Sequence, residues 1–233
     1  MSDEKIENIG QLLNQAGYTL ADLIRESSRT NSKLLMMTDE NRDKCIEIYD
    51  IIKNGSLSSG TKGKKLEELT YILFNKSVEN VFDVYRNCKT STNEIDLMIR
   101  WTEKARLAGI NSAFPCFGES FLCECKNYKG PVDVTYVGKF GHLMTISNVD
   151  FGIMVSWKGI SGKTKWDAAK GLIKKFAVHE NKYIVVIDKD DIFEICEKKK
   201  SIFSLIYDKY MALKLEIDYS TYLKKHGAED ILL

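Results

Sequence analysis

At 233 residues the chain has room for one ordinary domain of about 130 to 150 residues with one or two smaller appendages. Its 44% hydrophobic and 29% charged residues, with only two prolines, exclude fibrous and low-complexity classes. The net charge of +1 conceals an uneven distribution: residues 1–55 sum to −3, 56–196 to +3 and 197–233 to +1, and the mildly basic middle is compatible with phosphate binding or with an ordinary solvated surface.

The opening MSDEKIENIG is acidic and polar, unlike a signal peptide, and no apolar run approaches the roughly 18 residues of a membrane span. The expectation is a cytoplasmic protein with no membrane partner. Residues 1–53 read as helical: Leu20, Leu23 and Ile24 follow Thr19, and Cys45, Ile46, Tyr49 and Ile52 follow Asp39, at helix spacing behind N-caps. The polar, glycine-rich NGSLSSGTKG (54–63) reads as a linker. Leu66, Leu69, Ile72, Leu73 and Phe74 then form a helical face over 64–76.

Three strand-like stretches follow, VFDVYRN (81–87), EIDLMIRW (94–101) and SFLCECKN (120–127). The segment between the last two is an ordered excursion or a mobile flap. A helix is expected over 133–147, a buried strand at FGIMVSW (151–157), a helix capped by Thr164 that carries Trp166, Ala169, Ile173 and Phe176, and a strand at YIVVID (183–188). Residues 201–225 read as helical. The order implies an α/β fold: a mixed central sheet flanked by helices, with helical N- and C-terminal extensions. Three regions follow: 1–55, 56–196 and 197–233.

Residues two apart on a strand share a face. That places Phe121, Cys123 and Cys125 on one side and Leu122, Glu124 and Lys126 on the other. On the preceding strand Ile95, Leu97 and Ile99 alternate with Glu94, Asp96 and Met98. Adjacent strands can then unite Asp96, Glu124 and Lys126. Two carboxylates suit Mg²⁺, or Mn²⁺ in its place, and a neighbouring lysine can orient a water and neutralise phosphate charge. Taken alone, Glu124–Lys126 has the ordinary reading of a strand ion pair. Six scattered cysteines read as reduced thiols. Cys116, Cys123 and Cys125 lack the second ligand pair of a zinc site.

The order of these motifs resembles the Mrr-type restriction endonucleases, a branch of the PD-(D/E)xK nuclease superfamily, over about residues 61–193. GKKLEELTYIL (63–73) is similar to that family's first helix, NEIDLMI (93–99) to the strand of its metal-binding aspartate, and FLCECKNYKGPV (121–132) to its catalytic strand. FGIMVSW, the Trp166–Gly171 helix and YIVVID continue its order. The resemblance implies a restriction-endonuclease-like fold, with Asp96 and Glu124 as metal-binding carboxylates, Lys126 as the catalytic lysine and Glu67 as a helix carboxylate that helps to hold the metal. Many relatives carry Gln where this chain has Glu124, and the 27 residues between Asp96 and Glu124 imply an insertion beside the site.

The implied activity is a metal-dependent DNA endonuclease acting in restriction or anti-phage defence, with DNA as substrate and a defence-system protein as a candidate partner. The alternatives are a structure-specific repair nuclease, an RNase on the same fold, or an inactive interaction module. Glu94 is a candidate extra ligand, and Glu68 the solvent-facing neighbour of Glu67. Tyr128, Lys129, Lys163 and Lys165, with Lys158, are candidate nucleic-acid contacts against the plain reading of ordinary loop residues. His142, His179 and His226 lack spaced partners, and Trp157 and Trp166 read as core. Double-strand cleavage needs two sites, so a homodimer is expected, held by Leu34, Leu35, Met36 and Met37 and by Ile202, Phe203, Leu205 and Ile206.

Overall fold

A computed structural model describes residues 3–19, 21–23, 36–78, 80–89, 94–162, 168–197 and 200–215. Leu34, Leu35, Lys163, Thr164, Lys165, Trp166, His226 and the end of the 201–225 helix lie outside these residues.

Five strands form one sheet in sequential order: β1 (Phe82–Lys89), β2 (Glu94–Trp101), β3 (Ser120–Lys126), β4 (Phe151–Ser156) and β5 (Tyr183–Ile187). The first three run antiparallel, and β3, β4 and β5 run parallel. Strand β4 is buried along its whole length, as a strand covered on both faces must be, and its sequence is accordingly a continuous apolar run.

One face of the sheet carries Leu97, Ile99, Phe121, Cys123, Cys125, Ile153, Val155, Val185 and Ile187. It packs under α2 (Asp39–Asn54), α3 (Ser59–Asn75), α8 (Lys189–Cys196) and α9 (Ile202–Lys214). The other face carries Leu122, Met154 and Ile184 beneath α6 (Val134–Ile146) and α7 (Ala168–Glu180). An N-terminal helix, α1 (Asp3–Gln15), precedes these layers. Among the described residues no helix is long and apolar enough to cross a membrane.

Several sequence expectations are corrected. The stretch 54–63 is not all linker. Ser58 accepts a hydrogen bond from the Thr61 amide, so α3 starts at Ser59 and runs through Gly60 and Gly63. Residues 189–196, for which no helix was expected, form α8 behind a capping box in which Asp188 and Asp191 satisfy each other's backbone amides. The insertion between β2 and β3 is the ordered excursion, consisting of α4 (Glu103–Leu107), α5 (Ile110–Ala113) and a 3₁₀ turn (Pro115–Phe117). Phe114 and Phe117 are buried in the core, and Trp101 Nε1 donates to Gly118 O at 2.9 Å. Phe117 meets the rings of Phe121 and Phe151 at 5.1 and 5.3 Å.

Two helices outside the central region, α2 and α9, do not stand apart from it. Cys45, Ile48, Tyr49 and Ile52 of α2 and Ile202, Phe203, Leu205 and Ile206 of α9 belong to the same core as the sheet. The four α9 residues are therefore not a dimer surface, and that basis for the expected homodimer is withdrawn. Met37 likewise packs against the chain's own core. Trp157 is buried beside Tyr49, with ring centroids 5.0 Å apart, as a core residue should be.

Candidate active site

Strands β2 and β3 pair regularly from Arg100↔Ser120 to Leu97↔Cys123, and there the ladder ends. The next amide of β3 in pairing position, that of Cys125, donates instead to Asp96 Oδ2 at 2.7 Å. A side-chain carboxylate thus takes over from a backbone carbonyl just where the strands part. The alternation of β2 breaks at the same place: Leu97 and Ile99 face the α2/α3 side, whereas Ile95 is packed in the α6/α7 core. The local departure from regular pairing is what frees the Asp96 carboxylate to lie against β3.

On β3 the period of two works as expected. Phe121, Cys123 and Cys125 enter one core and Leu122 the other. Two residues further along the Leu122 face, Glu124 and Lys126 form an ion pair with side chains only 16% and 21% exposed. Glu124 Oε1 meets the lysine. Glu124 Oε2 is buried without a partner, a state that costs roughly 1–3 kcal/mol unless something meets it.

The charges of these groups act on one another. Burial, then the Asp96 charge, raises the Glu124 carboxyl above its ordinary range despite the Lys126 partner. Burial and Asp96 also raise Glu67, opposed by Arg86 and Lys126. Burial pulls Lys126 down, but the Glu124 ion pair and Asp96 outweigh it, so its ammonium is held above the ordinary lysine value. At neutral pH it is a cation.

Four sequence-selected groups, Asp96, Glu124, Lys126 and Glu67, are therefore electrostatic neighbours. Glu68 instead pairs with Lys65 at 2.8 Å on the half-exposed side of α3, whereas Glu67 feels the Asp96 and Lys126 charges. Glu94 is exposed at the start of β2, yet its charge reaches Glu67. Lys129 and Lys158 are exposed, as are His142 and His179. Tyr128, 37% exposed, lies two residues beyond Lys126, the end of β3. Burial and a hydrogen bond with the Tyr136 hydroxyl push its phenol up to about 12.

Two neighbours of the site escaped sequence reasoning. Arg86 on β1 lies with its guanidinium 5.3 Å from the Tyr71 ring centroid and offsets the acidic groups around Glu67. Tyr136 lies in the first turn of α6 with its ring 4.9 Å from that of Tyr128. Neither has a motif. Both are brought in by tertiary packing, and only the alternation of β1 could have hinted at Arg86.

No three His, Cys, Asp or Glu side chains among the described residues stand in ready metal-ligand geometry. The protein itself occupies one oxygen of each strand carboxylate, through the Cys125 amide on Asp96 and Lys126 on Glu124. The residues nonetheless fit a divalent cation. The orphaned Glu124 Oε2 is a buried anionic oxygen in want of a positive partner, and the donor set is carboxylate throughout. Such hard oxygen ligands favour Mg²⁺ or Mn²⁺ over softer metals. Cys123 and Cys125 point into the apolar core, with Cys125 Sγ 3.5 Å from Thr70 Oγ1.

A family profile described as a restriction endonuclease, the Mrr catalytic domain, matches residues 59–196, and the chain belongs to that family. Its sheet, ordered β1 to β5 with helices on both faces, is the mixed fold expected of a restriction-endonuclease-like nuclease. Among solved structures the DNA modification-dependent restriction endonuclease AspBHI is similar, with 13% identity and a TM-score of 0.35. The match covers 78% of this chain and 42% of AspBHI. No curated protein matches the chain.

Proposed function

We propose that the chain is a divalent-metal-dependent endonuclease that hydrolyses phosphodiester bonds of DNA in a restriction or anti-phage system of the cytoplasm. The observation that carries this reading is the meeting of Asp96, Glu124 and Lys126 where β2 and β3 part, with a buried carboxylate oxygen left unpartnered. Membership of a restriction-endonuclease family supports the choice of DNA as substrate.

In this reading Asp96 and Glu124 hold the metal and Glu67 assists, directly or through water. Bound there, Mg²⁺ would supply positive charge to the phosphate oxygens and a water of lowered pKa. The Cys125 amide fixes the Asp96 carboxylate, so that group is oriented before substrate arrives. Lys126, kept protonated by its acidic neighbours, donates to the attacking water or to a phosphate oxygen, where it stabilises charge as it builds. The low exposure of Glu124 and Lys126 strengthens each of these interactions relative to water.

The test is cleavage of plasmid DNA by purified protein with Mg²⁺ and with EDTA, alongside single-stranded DNA and RNA. Duplex cutting that requires Mg²⁺ is expected. Asp96→Asn should lower the rate roughly 10³-fold or more, since it removes a metal-binding charge at nearly constant volume. The amide oxygen of Asn can still accept from the Cys125 amide, so the melting temperature should hold. A variant that keeps more than about a tenth of the wild-type rate would sink the assignment. Cutting confined to RNA would move the substrate to the RNase alternative.

A further inference from the structure

The loop that leaves β3 passes from Lys126 through Tyr128 and Gly130 to Asp133, the N-cap of α6. It is tied at its far end. Val132 N donates to Gly159 O at 2.9 Å, and Ser161 N donates to Val132 O at 2.8 Å. Asp133 Oδ1 accepts from the amides of Thr135 and Tyr136, which fixes the first turn of the helix. Three side chains gather on this frame. The Tyr128 and Tyr136 rings lie 4.9 Å apart at a 41° tilt, and Lys139, one turn further along α6, places Nζ 5.5 Å from the Tyr136 ring centroid. Tyr136 is half-buried, whereas Tyr128 and Lys139 are exposed.

A structural role alone does not account for this cluster. Ring packing accounts for Tyr136, but Tyr128 keeps 37% of its surface exposed, and Asp133, the carboxylate in the same turn, is engaged in the helix cap. Each of the two neighbouring phenols carries a hydroxyl that can donate. With an ammonium beside them they present donors and positive charge, a combination that suits an anionic oxygen. The charges of Lys126 and Glu124 reach Tyr128, so the cluster borders the candidate active site directly.

We propose that Tyr128, Tyr136 and Lys139 form a phosphate clamp that grips the nucleic-acid backbone phosphate next to the one being hydrolysed. The clamp rests on the nuclease reading of the neighbouring site. Tyr128 and Lys139 contact the phosphate. Tyr136 is a positioning residue: it orients the Tyr128 hydroxyl and carries Lys139 across its ring. The clamp reads no sequence, because a phosphate has none to offer. Its task is to set the strand in register with Lys126 and the carboxylates.

Fluorescence anisotropy with a labelled duplex, in the cleavage-deficient Asp96→Asn background, tests the clamp without requiring turnover. Tyr128→Phe should weaken binding roughly tenfold, as expected for loss of one hydrogen bond to a charged group. Tyr136→Phe should weaken it by less and add nothing in the Tyr128→Phe background, because it acts through that hydroxyl. Lys139→Gln should lower the slope of log K against log salt by about one, the signature of one lost phosphate contact. The tyrosine variants should leave that slope unchanged. Full affinity in Tyr128→Phe with loss in Tyr128→Ala would mean base stacking and would overturn the clamp, as would an unchanged slope in Lys139→Gln. Plasmid cleavage by the wild type is scored separately. If the wild type cuts DNA while the clamp variants bind normally, the clamp fails alone. If the wild type neither cuts nor binds, the nuclease reading fails and takes the clamp with it.

Discussion

Lys126 stands between two opposed pressures, burial that disfavours its charge and the acidic pair Glu124 and Asp96 that demand it, and the second prevails. The consequence is a resting ammonium, suited to donation and not to taking a proton. Lys126→Ala should therefore keep Mn²⁺ binding measurable by calorimetry while cleavage falls about 10²-fold or more, the usual cost of losing a donor aimed at developing charge. Normal cleavage by this variant would reduce Lys126 to the structural partner of Glu124. Glu67 has a milder part. It lies on a helix, outside the β2–β3 junction, so Glu67→Gln should cost about 10- to 100-fold, while Glu68→Gln, whose side chain pairs with Lys65, should be close to silent. The reverse pattern would place the helix contact one residue further on. The adjacency of Glu124 and Lys126 was legible in the sequence because a strand's period of two puts them side by side whatever the fold, whereas Glu67 was singled out only by the family resemblance. The hydrogen bond from the Cys125 amide to Asp96 was not legible. It depends on where the β2–β3 ladder stops, and no local pattern in EIDLMIRW marks that point.

Among the elements, β4 and α6 show how closely the layer beside the site is packed. Gly152 is paired with Leu122 of β3, and α6 descends onto it. A Cβ there would lie 2.7 Å from Met144 Sδ and 2.9 Å from the Phe140 ring, both fully or almost fully buried and unable to retreat. Gly152→Ala should cost about 1–3 kcal/mol by overpacking. At about 2–4 °C per kcal/mol for a chain of this size, thermal denaturation would register a clear drop. An unchanged melting temperature would show that α6 can lift from the sheet, and α6 also carries Tyr136 and Lys139. The strands themselves were readable from apolar runs and alternation. Helix α3 was read late because Ser58, Gly60 and Gly63 have the composition of a linker, although Ser58 serves as the cap. Helix α8 was overlooked because eight residues carry too few turns to establish a period, and its marker, the Asp188–Asp191 capping box, overlaps the end of an apolar strand.

At the scale of the whole molecule, the apolar excess of the C-terminal helix was readable, but not the surface that it would cover. Ile202, Phe203, Leu205 and Ile206 have the composition of an interface and serve as the chain's own core, because the excursion between β2 and β3 builds an aromatic floor for them. The Phe203 ring stacks on Phe82 at 5.5 Å and meets Phe114 at 5.2 Å, so one side chain joins α9, β1 and the excursion. Removing it should act on folding and not on assembly. Phe203→Ala should cost about 3–5 kcal/mol, a large share of the roughly 5–15 kcal/mol that holds a typical domain together. Light scattering on the protein that remains folded should give the same mass as wild type, whatever that mass is. A drop in melting temperature at constant mass is the expected pair of results. If Phe203→Ala kept the wild-type melting temperature and halved the mass of an assembled wild type, α9 would have to be returned to an interface between copies.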